Sequence, residues 1–150
     1  TNDIYAGDRK IAGVLIEQSL AGDRIARTVV GIGLNVNQRE FPADLPNPTS
    51  IVVERGAECE RREVLNTFLR HLEKWYTRLE QGERELIEAT YNARLYRRDE
   101  FHEYALPSGE RFEAAIRGVR ATGHLCLEHR DGTFGDYAFK EVEFVIARKA

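Results

Sequence analysis

The first third of the chain has the apolar pattern of a β-sheet. Residues 11–17 are rich in β-branched and aliphatic side chains, and residues 27–36 form a second such run. Turn signals stand before each run, at Gly7-Asp8 and at Gly22-Asp23. Because the second run is apolar at consecutive positions, it is typical of a strand buried on both faces. We therefore predict a short strand before Gly7 and two longer strands after it.

The middle of the chain has a helical pattern. Residues 37–50 contain three prolines and several turn formers, which predicts a loop. After this loop, apolar side chains recur at helical spacing and form one wide stripe, made by Val64, Leu65, Phe68, Leu69, Leu72, Trp75, Tyr76 and Leu79. Gly82 is a suitable helix stop, and residues 84–96 predict a second amphipathic helix. We expect the apolar faces of both helices to belong to a core.

The last part of the chain changes to short strands. Apolar and polar residues alternate over residues 111–119, 124–129, 133–139 and 141–146, and glycine-containing turns separate these segments. Such short, closely spaced strands are typical of a small barrel of the SH3 type. We predict the class α+β, with part of a mixed or antiparallel sheet packed by two helices and then a small SH3-like β-barrel. The predicted domains are residues 1–102 and 103–150.

Composition restricts the class of protein further. Hydrophobic residues make up 42% and charged residues 31% of the 150 positions, as in ordinary globular proteins. The net charge of −3 argues against nucleic acid as the main partner, because phosphate binding requires a basic surface. With no apolar run near the roughly 18 residues of a membrane span, no signal peptide and only two cysteines, we expect a cytoplasmic protein. The chain starts at Thr1 and contains no methionine, so we expect further residues upstream.

Individual signals for a ligand site are weak. Lys10 heads an apolar strand, where a cation suits a carboxylate or phosphate, but it also fits a solvated lysine beside a turn. Gly31 and Gly33 lack the rest of a dinucleotide fingerprint. They indicate a bulge, close packing of strands or the close approach of a ligand. Taken alone, Asn2-Asp3 is better explained as a cap or turn than as part of a ligand site. Asn35 could equally start a loop, with its amide holding the backbone. The four histidines have no zinc-ligand spacing, and we predict no metal site.

Taken in order, these segments resemble one family. The chain reads Asn-Asp-Ile from Asn2, Arg-Lys-Ile-Ala-Gly-Val-Leu-Ile-Glu from Arg9 and Gly-Ile-Gly-Leu-Asn-Val-Asn from Gly31, followed by Phe-Pro-Ala-Asp-Leu-Pro and Thr49-Ser50. This succession resembles the biotin protein ligases, whose class II synthetase-like catalytic domain continues with two helices and ends in an SH3-like barrel. The resemblance covers the whole chain. It departs from the family at Thr1, where a proline is usual, and the family's upstream half with its glycine- and arginine-rich loop is not in this chain.

The resemblance implies an ATP-dependent ligase. Members of the family activate biotin with ATP and Mg²⁺ to biotinyl-5′-AMP and transfer the biotinyl group to a lysine of a biotin carboxyl carrier domain. By this resemblance Lys10 contacts the biotin carboxylate and the adenylate phosphate, and Asp3 acts on the incoming carrier lysine. The same resemblance implies further ligand-contacting positions, which are Gly13, Gly31 and Gly33 on the biotin side and Asn2 and Asn35 on the nucleotide side.

Two alternatives stay open at this point. A lipoate protein ligase-like enzyme shares the fold and the adenylate chemistry, and a non-catalytic binding or dimerisation module shares the fold alone. The presence of Lys10 and Asp3 argues against a degenerate module. We expect the partner to be the carrier domain of a biotin-dependent carboxylase, and the chain could also form a homodimer. We expect no binding to a membrane, and binding to nucleic acid only if a further N-terminal domain binds DNA. Because the ligand-covering loop lies upstream in the family, we expect the 150 residues alone to be inactive.

Overall fold

The first sheet has three antiparallel strands in the order β1 (Asp3–Ala6), β2 (Arg9–Ala21) and β3 (Arg24–Leu34). The structure is a computed structural model, which describes residues 2–138 and 140–146. Gly7 and Gly22 form the two turns with φ values of 58° and 65°, a conformation that glycine adopts without a Cβ penalty. The sheet predicted from the apolar pattern is therefore confirmed, and β2 is longer than expected.

Three helices follow, named α1 (Ile51–Arg55), α2 (Arg61–Glu80) and α3 (Arg84–Ala93). The two longer helices confirm the prediction from apolar spacing. The sequence pattern did not predict α1, which is only five residues long. Its ends nevertheless have ordinary caps, because the Ser50 side chain accepts a hydrogen bond from the Val53 N–H and Gly56 ends the helix in the left-handed conformation.

The second sheet has five antiparallel strands, in the order β7-β6-β5-β4-β8. The strands are β4 (Phe101–Ala105), β5 (Arg111–Val119), β6 (Leu125–His129), β7 (Phe134–Tyr137) and β8 (Glu143–Phe144). The class α+β with an SH3-like sheet is confirmed, although β7 and β8 form open edges among the residues described. Part of the predicted strand 133–139 lies outside the described residues at Phe139.

The described chain divides into two compact units, one ending at Phe68 and the other beginning at Leu69. The dividing point lies within α2, and the predicted domain boundary after residue 102 stays a prediction. In the first unit the buried residues are Ala12, Thr49, Ser50 and Val52. In the second unit the fully buried cluster contains Tyr104, Ala114, Ile116 and Leu127, with partly buried aromatic and aliphatic side chains around it.

Large apolar faces are exposed in both units. The prediction that β3 is buried on both faces is wrong for the described chain, because every residue of β3 is exposed. The apolar stripe of α2 is exposed as well, with Leu65, Phe68, Leu69, Leu72, Tyr76 and Leu79 between 38% and 59% accessible. A strand that is apolar on both faces needs a layer on each side. No element among residues 2–138 and 140–146 buries these faces.

Within the part of the chain that the structure describes, the hydroxyl of Tyr104 is an unpaired polar group in the core of the second unit. The residue is fully buried, and its hydroxyl has no hydrogen-bond partner among the described residues. Burial raises the pKa of Tyr104 from 10.0 to about 12, with a smaller opposing effect of the Arg97 charge. Because an unpaired buried hydroxyl costs about 1–3 kcal/mol, removing it is favourable.

Tyr104→Phe is therefore expected to raise the free energy of unfolding by about 1 kcal/mol in denaturant titrations. Since the folded pKa lies above the unfolded one, the wild-type protein loses stability as pH rises from 10.0 towards about 12, and the variant lacks this component. Tyr137→Phe is the control, because the Tyr137 hydroxyl lies 3.1 Å from His129 Nε2 and its loss is expected to destabilise. Equal destabilisation by both variants would contradict the unpaired state of Tyr104.

Candidate active site

An ion pair between β1 and β2 is the centre of the candidate site. Lys10 Nζ lies 2.7 Å from Asp3 Oδ1, and the two side chains are 44% and 29% exposed. The pair is thus reachable from solvent but partly screened by its surroundings. The structure brings together the two residues to which the family resemblance assigned catalytic roles, and the roles themselves stay predictions.

A β-bulge places Lys10 on this face of the sheet. Ile4 pairs with Ala12 whereas the next residue, Tyr5, pairs with Lys10, so Ile11 is an additional residue in β2. In a regular strand Lys10 and Gly13 would point to opposite faces, because they are an odd number of positions apart. The bulge changes this alternation, and the Lys10 Nζ lies 3.9 Å from the position of a Cβ on Gly13. Sequence reasoning did not predict the bulge.

The backbone of Lys10 is held by the loop before α1. Its N–H donates to the Asn47 carbonyl at 2.8 Å, and its carbonyl accepts from the Thr49 N–H at 2.9 Å. Pro48 lies between these partners in a parallel bridge to Lys10. Two backbone hydrogen bonds on one residue restrict its φ and ψ, so the loop fixes the point from which the lysine side chain extends.

Gly13 lies beside the ion pair, and Gly33 and Gly31 follow it on the neighbouring strand. A Cβ on Gly13 would lie 3.8 Å from Asp3 Oδ1 and from Lys10 Cε, which is ordinary contact. Gly33 pairs with Gly13 and Gly31 pairs with Leu15, in a stretch without a register shift. Neither Gly31 nor Gly33 has positive φ or a tight neighbour, so the fold itself does not require glycine at either position. The bulge interpretation is therefore wrong for this stretch, and the approach of a ligand to Gly31 and Gly33 stays a prediction.

The two asparagines assigned to the nucleotide side hold backbone in the structure. The Asn2 carbonyl accepts from the Val14 N–H at 2.7 Å. The Asn35 Nδ2 donates to the Thr49 carbonyl at 2.9 Å, and the Asn35 N–H donates to the Ile11 carbonyl at 3.0 Å. Asn35 therefore lies beside the bulge and the loop that holds Lys10. Its contact with a nucleotide stays a prediction.

A polar network next to Lys10, buried at Thr49 and Ser50 and partly exposed at Arg9 and Glu54, had no role assigned from the sequence. Thr49 and Ser50 are fully buried. The Thr49 hydroxyl donates to Glu54 Oε1 at 2.6 Å, and Arg9 donates to Glu54 Oε2 at 2.8 Å. Thr49-Ser50 was part of the family motif, and a serine before an apolar run is an N-cap signal that could have indicated α1. The partnership of Glu54 with Arg9 spans 45 positions and has no local signal.

The described residues contain no group of three or more His, Cys, Asp or Glu side chains placed to hold a metal ion. None of the helices searched in that part of the chain has the length and apolar character of a membrane span. What the site offers chemically is a lysine ammonium paired with one carboxylate, beside open backbone. An anionic ligand oxygen can replace the Asp3 carboxylate as the partner of Lys10, which leaves that carboxylate available to a second group.

No family model matches the chain, but several curated proteins are similar to it. The chain is 30% identical over 152 aligned positions to the bifunctional ligase/repressor BirA of Escherichia coli, covering 99% of this chain and 46% of that protein. It is 30% identical over 144 positions to BirA of Salmonella typhimurium, covering 94% of this chain and 44% of that protein. BirA of Bacillus subtilis is 36% identical over 78 residues, which cover 50% of this chain and 24% of that protein. The chain thus spans less than half the length of these relatives.

Comparison with solved structures supports the same fold. The apo biotin protein ligase of Aquifex aeolicus superposes with a TM-score of 0.74 at 22% identity, covering 96% of this chain and 62% of that one. The same ligase in complex with biotin and ATP gives a TM-score of 0.72 at 22% identity, with 96% and 60% coverage. At such identity the superposition establishes the fold alone. By sequence the chain is similar to BirA of Escherichia coli over 46% of that protein, and by fold it is similar to the biotin protein ligase of Aquifex aeolicus.

Proposed function

We propose that this chain is part of a biotin protein ligase that makes biotinyl-5′-AMP from biotin and ATP and then biotinylates a carrier lysine. The observation that carries the proposal is the Lys10–Asp3 ion pair of 2.7 Å beside the open backbone of Gly13. It is supported by the similarity of 99% of this chain to BirA of Escherichia coli, a bifunctional ligase/repressor. The partner would be the carrier domain of a biotin-dependent carboxylase, and the compartment the cytoplasm.

In the first step, the biotin carboxylate attacks the α-phosphorus of ATP, a P–O bond forms to the carboxylate oxygen, and pyrophosphate leaves. We propose that Lys10 contacts both the carboxylate and the phosphate oxygens. Negative charge is shared between these oxygens in the transition state, and a fixed ammonium stabilises it. Mg²⁺ would enter as the counter-ion of ATP, since magnesium is usually held by one or two carboxylates together with phosphates. Asn2 and Asn35 would lie on the nucleotide side.

In the second step, the carrier lysine amine attacks the acyl carbon of the adenylate, a C–N bond forms, and AMP leaves. An ammonium group is not nucleophilic, so a base must accept a proton from it. We propose Asp3 for this role, because its carboxylate is free once a ligand anion has become the partner of Lys10. Gly13, Gly31 and Gly33 would let biotin lie against the backbone of β2 and β3.

The test of this function uses the full-length protein with ATP, Mg²⁺ and a purified biotin carrier domain. Biotin-dependent release of pyrophosphate and a mass increase of the carrier by one biotinyl group are the expected results. The same assay with lipoic acid and a lipoyl domain tests the lipoate alternative. Activity with lipoic acid but not with biotin would favour that enzyme, and activity with neither would favour a non-catalytic module.

Gly13→Ala separates the ligand role of this position from its structural role. The added methyl group would make only ordinary contacts, at 3.8 Å and beyond, so the melting temperature is expected to stay close to that of the wild type. The methyl would occupy space next to the ion pair, and an extra methyl in a filled site costs about 1–3 kcal/mol. We therefore expect biotin binding, measured by calorimetric titration, to weaken at least about fivefold.

Ser19→Ala, at an exposed position near the far end of β2, is the control for the Gly13 variant and is expected to change neither quantity. Unchanged biotin affinity in Gly13→Ala would remove Gly13 from the proposed pocket. A large loss of melting temperature would show instead that the glycine serves the fold.

A further inference from the structure

One carboxylate, that of Glu54 at the end of α1, contacts two residues that flank Lys10. Its Oε2 accepts from Arg9, the residue before Lys10 in β2, at 2.8 Å. Its Oε1 accepts from the Thr49 hydroxyl at 2.6 Å, and the Thr49 N–H donates to the Lys10 carbonyl at 2.9 Å. Glu54 therefore acts on both sides of the Lys10 backbone without touching the Lys10 side chain.

The two contacts of Glu54 differ in burial, and this difference indicates which one contributes more to holding the loop. Thr49 is fully buried, so its hydroxyl has no solvent to replace a lost partner. The Arg9 side chain is 43% exposed, and an ion pair that exposed contributes little by itself. The hydroxyl-to-carboxylate bond is charge-assisted and short, and it couples α1 to the loop that holds Lys10.

We propose that Glu54 is a positioning residue, which holds the loop at Thr49 and the strand at Arg9 so that Lys10 stays against Asp3. The catalytic consequence rests on the proposed function, whereas the effect on Lys10 itself does not. Loss of the Glu54 charge would let the loop and the start of β2 shift, and the ammonium would then leave its place beside Gly13. A displacement of 1 Å in a reacting group can cost about 100-fold in rate, so a smaller shift has an intermediate effect.

The first experiment measures Lys10 directly and does not depend on any enzyme activity. Full-length Glu54→Gln and wild-type proteins are treated with an amine-acylating reagent, and modification of each lysine is followed by mass spectrometry. If Glu54 holds Lys10 against Asp3, Lys10 of the variant is modified about two- to fivefold faster, which corresponds to losing an exposed ion pair. The exposed Lys74 on α2 is the internal standard. An unchanged ratio of Lys10 to Lys74 would overturn the proposal.

The second experiment measures adenylate formation in a double-mutant cycle. Glu54→Gln is expected to lower kcat/KM by about 3- to 30-fold, below the effect of a full 1 Å displacement. In a Lys10→Ala background the same change is expected to cost less than about twofold, because the group that it positions is gone. A full Glu54 effect in that background would overturn the proposal. If Lys10→Ala alone retained activity, the proposed function would fail at Lys10, while the acylation experiment would still decide on the positioning.

Matched variants distinguish positioning from general damage to the fold. Thr49→Ser keeps the hydroxyl and is expected to keep activity, whereas Thr49→Val removes it and is expected to reproduce most of the Glu54→Gln loss. Glu58→Gln removes another carboxylate of the same unit, whose pair with Arg39 is exposed and 4.0 Å long, and is expected to have no effect. Equal losses from Glu58→Gln and Glu54→Gln would show that the effect is not specific to this network.

Discussion

Lys10→Ala is expected to lower biotinyl-adenylate formation by the full-length protein about 30- to 1,000-fold. The change removes the ammonium proposed to contact both the biotin carboxylate and the α-phosphate, and losing such a donor costs about 2–4 kcal/mol. It also leaves the Asp3 carboxylate, now 2.7 Å from Lys10 Nζ, without its partner and close to incoming anions. Both effects act in the same direction, because each one disfavours negative charge at the site. Steady-state pyrophosphate release at varied biotin concentration measures the loss in kcat/KM.

Two further variants make the Lys10 experiment specific. Lys10→Arg keeps the charge but is expected to recover activity only in part, because a planar guanidinium places its donors differently from a compact ammonium. Lys74→Ala removes an exposed lysine from α2 and is expected to leave adenylation unchanged. Near-normal activity of Lys10→Ala would show that the anion is held elsewhere, and the site would have to be reassigned.

The sequence predicted the elements of this fold well where one pattern ran over many residues. The strand predicted at 111–119 agrees with β5 (Arg111–Val119), and the long apolar stripe agrees with α2 (Arg61–Glu80). The pattern could not predict α1, since five residues are too few to establish a helical period. It also could not predict the bulge at Ile11, because an additional residue in a strand is defined by the pairing with its neighbour.

The sequence motifs identified Lys10, Asp3 and Gly13, and the structure brings these residues together. The sequence did not indicate the contacts that hold them in place. The contact between Arg9 and Glu54 joins residues 45 positions apart, and nothing in either segment indicates the other. Contacts between distant segments follow from the tertiary structure, whereas candidate site residues can be identified from sequence motifs.

Burial was the least predictable property. Apolar spacing placed the stripe of α2 and both faces of β3 in a core, yet in the described residues these surfaces are exposed. A periodic pattern shows which side chains need a partner layer, but it does not show which segment supplies the layer. The second unit differs, because Tyr104, Ile116 and Leu127 are covered by the strands of their own sheet and by the side chains around it.

The proposed transfer step assigns a role to the other member of the ion pair, Asp3. Its carboxylate is only 29% exposed and lies on the same face as Gly13, next to the space proposed for the adenylate. In the described structure its partner is the Lys10 ammonium. We propose that it becomes available to the carrier amine once the ligand anions have become the partners of Lys10. The exchange of partners would thus make the base available only after the first step.

Asp3→Asn is accordingly expected to slow biotin transfer about 100- to 10,000-fold, the usual contribution of a positioned general base. Asparagine has nearly the same shape and still offers an oxygen to Lys10, so adenylation is expected to fall much less. Single-turnover transfer from preformed biotinyl-5′-AMP to the carrier domain measures the second step alone. Because a free lysine amine has a pKa of about 10.4, the variant's rate is expected to rise tenfold per pH unit below that value. The wild-type rate should rise less steeply.

Asp23→Asn, in the turn between β2 and β3, is the control for Asp3→Asn and is expected to keep both steps at the wild-type rate. The outcome that would refute a base is an equal loss of adenylation and transfer in Asp3→Asn. In that case Asp3 would serve only to hold Lys10, and the carrier amine would lose its proton to solvent. A displaced Lys10 would slow adenylation, whereas a missing base would slow transfer alone. A loss that is confined to transfer and becomes smaller as pH rises would therefore indicate that Asp3 is the base.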